Sequence, residues 1–208
     1  MRQKSKIAVL ACGFQGSVGA LKAFGAVEMG IKEEDLQSLV DAWRAANPHI
    51  VRFWWEADRA ARMAVKERTA TETHGIKFSY QSGFLFITLP SGRRLAYVKP
   101  RIDLNRFGNE CVTYEGLDST KKWTRIESSP GKWVENLTQA VARDILYNAI
   151  DSLRKSLIVM HAHDEIVIEA DMHMSVEAVC EQMSRTPTWA KGLPLRAEGY
   201  ECQFYQKK

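Results

Sequence analysis

Residues 157–170 read Leu-Ile-Val-Met-His-Ala-His-Asp-Glu-Ile-Val-Ile-Glu-Ala, and this stretch decides the fold. Two short apolar runs rich in branched side chains, 157–160 and 166–168, flank His161, His163, Asp164 and Glu165. Runs of that length bounded by polar residues predict two buried strands of a β-hairpin with chemistry at its tip. A carboxylate pair between buried arms is costly unless something positive meets it: a divalent metal, a bound cation or an arginine. Adjacent Asp and Glu are oxygen ligands of the kind Mg2+ prefers. The plainer alternative is a polar turn. His161 and His163 raise zinc, but His-x-His lacks the rest of a zinc set and no cysteine pair lies nearby.

The chain around this stretch has 208 residues, enough for one large domain or two small ones. With 45% hydrophobic and 26% charged residues it has an ordinary globular composition, and no apolar run is long enough to span a bilayer. Residues 1–6 are basic like the start of a leader, but the apolar run 7–10 is too short, so no signal peptide is expected. Cys12, Cys111, Cys180 and Cys202 lie far apart and form no CxxC, as reduced cytosolic thiols would. A net charge of +4 permits a polyanionic partner without demanding one.

From the N-terminus, residues 2–15 have helical spacing. Arg2, Lys6, Leu10 and Phe14 fall four apart and form one slowly drifting row, cationic, then apolar, then aromatic. A solvated helix face would also begin with Arg and Lys. Two cations followed by a ring suit a nucleotide, with phosphates on the cations and base on the ring. Helices are expected over 18–29 (capped by Ser17, closed by Gly30), 35–46 and 49–68. The period then changes to two. Strands are expected at 75–80, 84–89, 94–98, 111–115 and 123–126, with loops at 103–109 and 116–122. A long helix spans about 132–155, the hairpin follows, and a helix is expected at 175–184 with Ser175 as cap. A tryptophan-bearing loop, 187–194, precedes an expected closing strand at 195–205.

Two motifs, taken in order, resemble the family A DNA polymerases of the bacterial polymerase I type, and among them the phage and prophage members. The family's fingers helix carries Arg, three residues, Lys, then Tyr-Gly eight and nine positions after the Lys. The gapless counterpart here is Arg2, Lys6, Phe14 and Gln15. The family's palm hairpin carries His-Asp-Glu, matched by His163, Asp164 and Glu165, and a glutamine on the preceding long helix is matched by Gln139. The resemblance implies the C-terminal part of such an enzyme. Its fold would be α+β: helical fingers over 1–70, a β-rich elaboration over 71–127, and over 128–208 a partial palm with an antiparallel sheet and a central β-hairpin.

It also implies roles. Arg2 and Lys6 would hold the triphosphate of an incoming dNTP, Leu10 would lie near its sugar, and Phe14 would pack against the base or the template stack. Gln139 would contact the primer–template DNA and His163 would lie near the primer terminus. Asp164 would ligate Mg2+ (or Mn2+), with Glu165 beside it in a supporting role. Phe14 keeps the ring of Tyr and loses its hydroxyl, and Gln15 replaces Gly, which makes the helix end less free to bend. The family's other metal-binding Asp belongs to an Asp-Tyr-Ser-Gln-Ile-Glu strand, and no such stretch occurs here. Independent catalysis is therefore not expected, and association with an N-terminal polymerase half or with a second copy is. The expected setting is the cytoplasm of a bacterial host or phage-infected cell, with no membrane partner. Two other readings stand beside this one: a non-catalytic nucleic-acid-binding or assembly module, and an unrelated phosphoesterase using His161, His163 and Asp164. The cations Arg93, Arg94, Lys99 and Arg101 could touch a nucleic-acid backbone or simply be solvated.

Overall fold

The computed structural model describes residues 2–171 and 173–205, with side chains from residue 6 onward. The chain forms two compact units, Met1–Thr138 and Gln139–Lys208. The class is α+β, as expected.

The first unit opens with α1 (Arg2–Gly13), α2 (Val18–Ala23), α3 (Leu36–Ala46) and α4 (Pro48–Glu67). The second expected helix is short because Gly25 and Gly30 take positive φ, and residues 24–30 continue as turns. Ser17 makes no side-chain cap bond there. Ile7, Ala11, Cys12, Leu21, Leu36 and Val40 close a small apolar core among the first three helices.

An antiparallel meander follows: β1 (Thr71–Thr73), β2 (Ile76–Gln81), β3 (Phe84–Thr88), β4 (Arg94–Leu104), β5 (Glu110–Leu117) and β6 (Trp123–Glu127), paired in that order. Its tight turns follow from local chemistry. Ser82-Gly83 and His74-Gly75 have both φ angles positive, the conformation a two-residue hairpin loop favours. In the β5–β6 loop, Asp118 Oδ1 accepts from Thr120 N (2.8 Å), Thr120 Oγ1 (2.7 Å) and Lys122 N (3.0 Å), so the carboxylate replaces a backbone turn. The hydroxyl of Thr120 and these amides hold the Asp118 carboxyl below its ordinary range.

The inner face of the meander carries Phe78, Leu85, Ile87 and Val112, all fully buried. Against it lies α4, whose Trp54, Ala57, Ala61 and Ala64 alternate bulk with small residues so that helix and sheet come close. Each large side chain buried this way stabilises by about 1.5–3 kcal/mol. Tyr97 and Trp133 meet edge to face at 5.0 Å, and the Tyr97 hydroxyl accepts from Asn136 Nδ2 at 3.0 Å. Trp133 lies on α5 (Pro130–Ser152), which begins in this unit and continues into the second.

Three expectations for this region are corrected. β1 is a strand that alternation does not reveal, because Thr-Glu-Thr has no apolar partner. β4 runs past Val98 to Leu104, taking in residues expected to be loop. Pro100 lacks an N–H, but a bulge between Val98 and Arg101, with Lys99 at φ +46°, carries it through the sheet. Likewise β5 extends to Leu117.

The second unit contains the rest of α5, the hairpin β7 (Leu157–Ala162) and β8 (Glu165–Glu169), and α6 (Val176–Met183). Ser175 caps α6 as expected, accepting from Ala178 N at 3.3 Å. The hairpin pairs only with itself, as a two-stranded sheet. Its arms were expected to be buried, but Leu157 is 62% and Val159 53% exposed, because a lone ribbon has no second layer to cover both faces. The expected closing strand at 195–205 is also absent, since no ladder partner meets it. Instead Ala197 N donates to Ser184 Oγ at 2.9 Å, and Gly199 passes so close to α6 that a Cβ would lie 2.7 Å from Val176 Cγ1.

Asp58 on α4 is 5% exposed and accepts from Arg62 Nε at 2.8 Å. Burial pushes its carboxyl up, and the arginine only partly offsets this. A raised folded-state value means that stability is fullest below the unfolded Asp range of about 3.9 and falls as pH rises through the folded value. Because the lowered Asp118 carboxyl acts in the opposite sense, the decline should appear in the difference between wild type and Asp58→Asn, measured by denaturant titration across acidic pH.

Candidate active site

The helical row sits on α1, whose inward face is fixed by Ile7, Ala8, Ala11 and Cys12. Lys6 and Leu10 are consequently exposed. Arg2 belongs to the backbone of α1, but its side chain lies outside the described residues. Phe14 is half-buried and falls one residue past the last helical position.

The end of α1 is tied down. Trp54 Nε1 donates to the Gly13 carbonyl at 2.8 Å. Gln15 adopts φ +68°, a left-handed conformation that costs a non-glycine residue about 1–2 kcal/mol. Its side chain helps hold it there: Gln15 Oε1 accepts from Gly131 N, at the start of α5, at 3.0 Å. The approach is tight enough that a Cβ on Gly131 would lie 2.1 Å from the Phe14 carbonyl oxygen. The residue that departs from the family's glycine is thus the one that joins the two helices.

In the second unit the chemistry sits on an exposed tip. Ala162 and Glu165 face each other across the hairpin, leaving His163 and Asp164 as a two-residue loop. His163 takes φ +51°, as such a loop requires of its first residue. A register shift between Ile158 and Met160 leaves Val159 as the extra residue of a bulge. Because cross-strand partners share a face, His161 stands with Ile166, and Glu165 with Ala162 on the opposite side. His161, His163, Asp164 and Glu165 are all exposed, as is Gln139 on α5.

One neighbour escaped sequence reasoning. The Tyr205 hydroxyl donates to Glu165 Oε2 at 3.4 Å. The charge of Glu165 beside it, with some loss of solvent, pushes the phenol up. Nothing local signals this contact, because the tail reads as a strand and the two residues are forty apart in sequence.

Among the described residues, no group of three or more His, Cys, Asp or Glu is arranged to hold a metal ion. A hard cation takes six or more oxygens, and two adjacent exposed carboxylates supply only part of such a set. Among the described residues, the donors present do not complete a metal site.

No protein-family model matches the chain, and no solved structure matches it. The chain is 47% identical over 215 aligned residues to a DNA polymerase of Bacillus phage SP02. That alignment covers all of the chain and 33% of the relative, so the chain spans about a third of that protein's length. The resemblance to a DNA polymerase, and to a phage one, is borne out at that level. No helix among the described residues is long and apolar enough to cross a membrane.

The seam at the end of α1 is directly testable. Gly131→Ala should lower unfolding stability by about 1–3 kcal/mol through overpacking, read from urea midpoints. Gln15→Ala should cost about 1 kcal/mol for the lost hydrogen bond.

Proposed function

We propose that this chain is the C-terminal fingers and palm portion of a family A DNA polymerase, taking part in template-directed nucleotidyl transfer. The observation that carries this reading is the 47% identity, over the whole chain, to a phage DNA polymerase. The order of motifs supports the family: a cationic helix first, then a glutamine on a long helix, then His-Asp-Glu on a hairpin.

In this reading Arg2 and Lys6 bind the triphosphate of a dNTP, Leu10 flanks its sugar and Phe14 its base. Gln139 and His163 contact primer–template DNA. Asp164 is one ligand for Mg2+ or Mn2+, and Glu165, held by Tyr205, supports it. Such ions, held by Asp164 together with carboxylates from elsewhere, would supply activation of the primer 3′-hydroxyl and stabilisation of the leaving pyrophosphate. The remaining carboxylates come from outside this chain, which alone binds DNA without extending it. The exposed arm of the hairpin, with Leu157 and Val159, is where an N-terminal polymerase half or a second copy docks. An incomplete donor set also favours a second reading, a non-catalytic DNA-binding or assembly module.

Primer extension by the 208-residue chain, in Mg2+ and then Mn2+, tests both. The expected result is binding of a labelled primer–template duplex without extension, with duplex binding weakened by Gln139→Ala. Extension that Asp164→Asn abolishes would overturn the half-site account. Failure to bind the duplex at all would overturn the polymerase reading.

A further inference from the structure

The meander has two faces, and within the first unit α4 packs on one of them. Leu85 and Ile87 of β3 are buried against the α4 side, so Phe84 and Phe86 point to the other. The register carries that outer face across the sheet. Phe84 pairs with Val98, Val98 with Glu115, and Glu115 with Arg125. Two residues further along, Leu117 pairs with Trp123, which is 59% exposed. Three aromatic rings therefore share the open side of one sheet.

The solvent side of a sheet ordinarily carries polar residues, and Lys77, Ser79 and Gln81 follow that rule here. The rings break it, and they lie on the side opposite the inner face that α4 and Trp133 close. Their surroundings are cationic. Phe84 and Phe86 stack at 5.6 Å with 20° between their planes, and the Arg94 guanidinium lies 4.9 Å from the centre of Phe86. Glu115 is met by Lys99 at 3.0 Å and Arg125 at 3.4 Å, and it also accepts from Trp123 Nε1 at 3.3 Å, so two cations and the third ring converge on one carboxylate.

From this arrangement we infer that the outer face of the meander binds single-stranded DNA, with bases stacked on Phe86, Phe84 and Trp123 and phosphates drawn to Arg94, Lys99 and Arg125. Rings interleaved with cations, two of them half-buried and Trp123 exposed, match the two surfaces of an unpaired strand, the base face and the phosphate. A duplex hides its base faces and gains nothing from the rings. An apolar peptide gains nothing from the cations. From Phe84 to the Arg125 row is three strand spacings, about 14 Å, room for several bases laid across the strands. The choice of DNA over RNA rests on the polymerase reading above. The surface itself is separate from every residue assigned there.

The test is anisotropy of the 208-residue chain with a labelled thymidine oligonucleotide of about 16 nucleotides, a typical single-strand site size. Phe86→Leu and Trp123→Leu keep apolar bulk and remove the ring. Each should weaken oligonucleotide binding about ten-fold while leaving the melting temperature and the binding of a blunt primer–template duplex unchanged. Arg94→Gln should weaken binding and flatten its salt dependence. Equal binding by wild type and the Phe86→Leu, Trp123→Leu double variant would overturn the proposal, as would tighter binding of a uridine ribo-oligonucleotide. Loss of duplex binding with single-strand binding retained would count against the polymerase reading and leave this surface standing.

Discussion

The first unit depends on an approach too close for a Cβ. Where α1 ends, the backbone of residues 13–16 is pressed between α4 and the first turn of α5, and Gly131 is the residue that lets α5 arrive. Trp54 reaches Gly13 from α4, and Gln15 reaches Gly131. These hydrogen bonds replace the helix-terminal partners that α1 and α5 would otherwise lack. Lys6 and Leu10 are presented to solvent because the opposite side of α1 is fixed at this seam and in the small core behind it. A cationic row can serve phosphate chemistry only if the helix holding it cannot roll, and packing, not helix propensity, prevents the rolling here.

Much of this could be read from residue order. The helix expected over 49–68, the break at Gly30 and the Ser175 cap each rest on local chemistry, and each appears close to where the sequence places it. The misses share a cause: they depend on partners distant in sequence. β1 is a strand only because β2 lies beside it. The strand expected to end at Val98 runs on through Pro100, because β5 pairs with β4 on both sides of a bulge. Residues 195–205 alternate like a strand, but alternation supplies side chains for a ladder, not the ladder itself. The tail is held by Ser184 and by the notch that Gly199 leaves on α6.

The hairpin shows the same limit in its chemistry. Its motif and its two-residue loop are local, and both are legible. Its environment is not. The apolar arms predict a dry setting in which paired carboxylates would need a counter-charge, yet the tip is open to solvent and the arms are largely uncovered. Without desolvation the argument for a tightly bound cation weakens, because water satisfies both carboxylates. What singles out Glu165 is a neighbour, the Tyr205 phenol, delivered by a tail that no local pattern links to the tip.

Register, more than composition, separates the aromatic residues by role. Trp54 and Trp133 are fully buried and hold helices to the sheet, whereas Trp123, of the same residue type, stands on the outer face. A side-chain period of two means that a slip of one residue along β6 would bury Trp123 and expose Ile126. The pairing of Tyr114 with Ile126 opposes that slip, since both project to the inner side where Tyr114 packs on Tyr97 at 4.8 Å. The inner-face packing that stabilises the meander therefore also fixes which rings it shows to solvent. The side of the sheet on which Trp123 stands is therefore set by packing on the opposite face, before any ligand arrives.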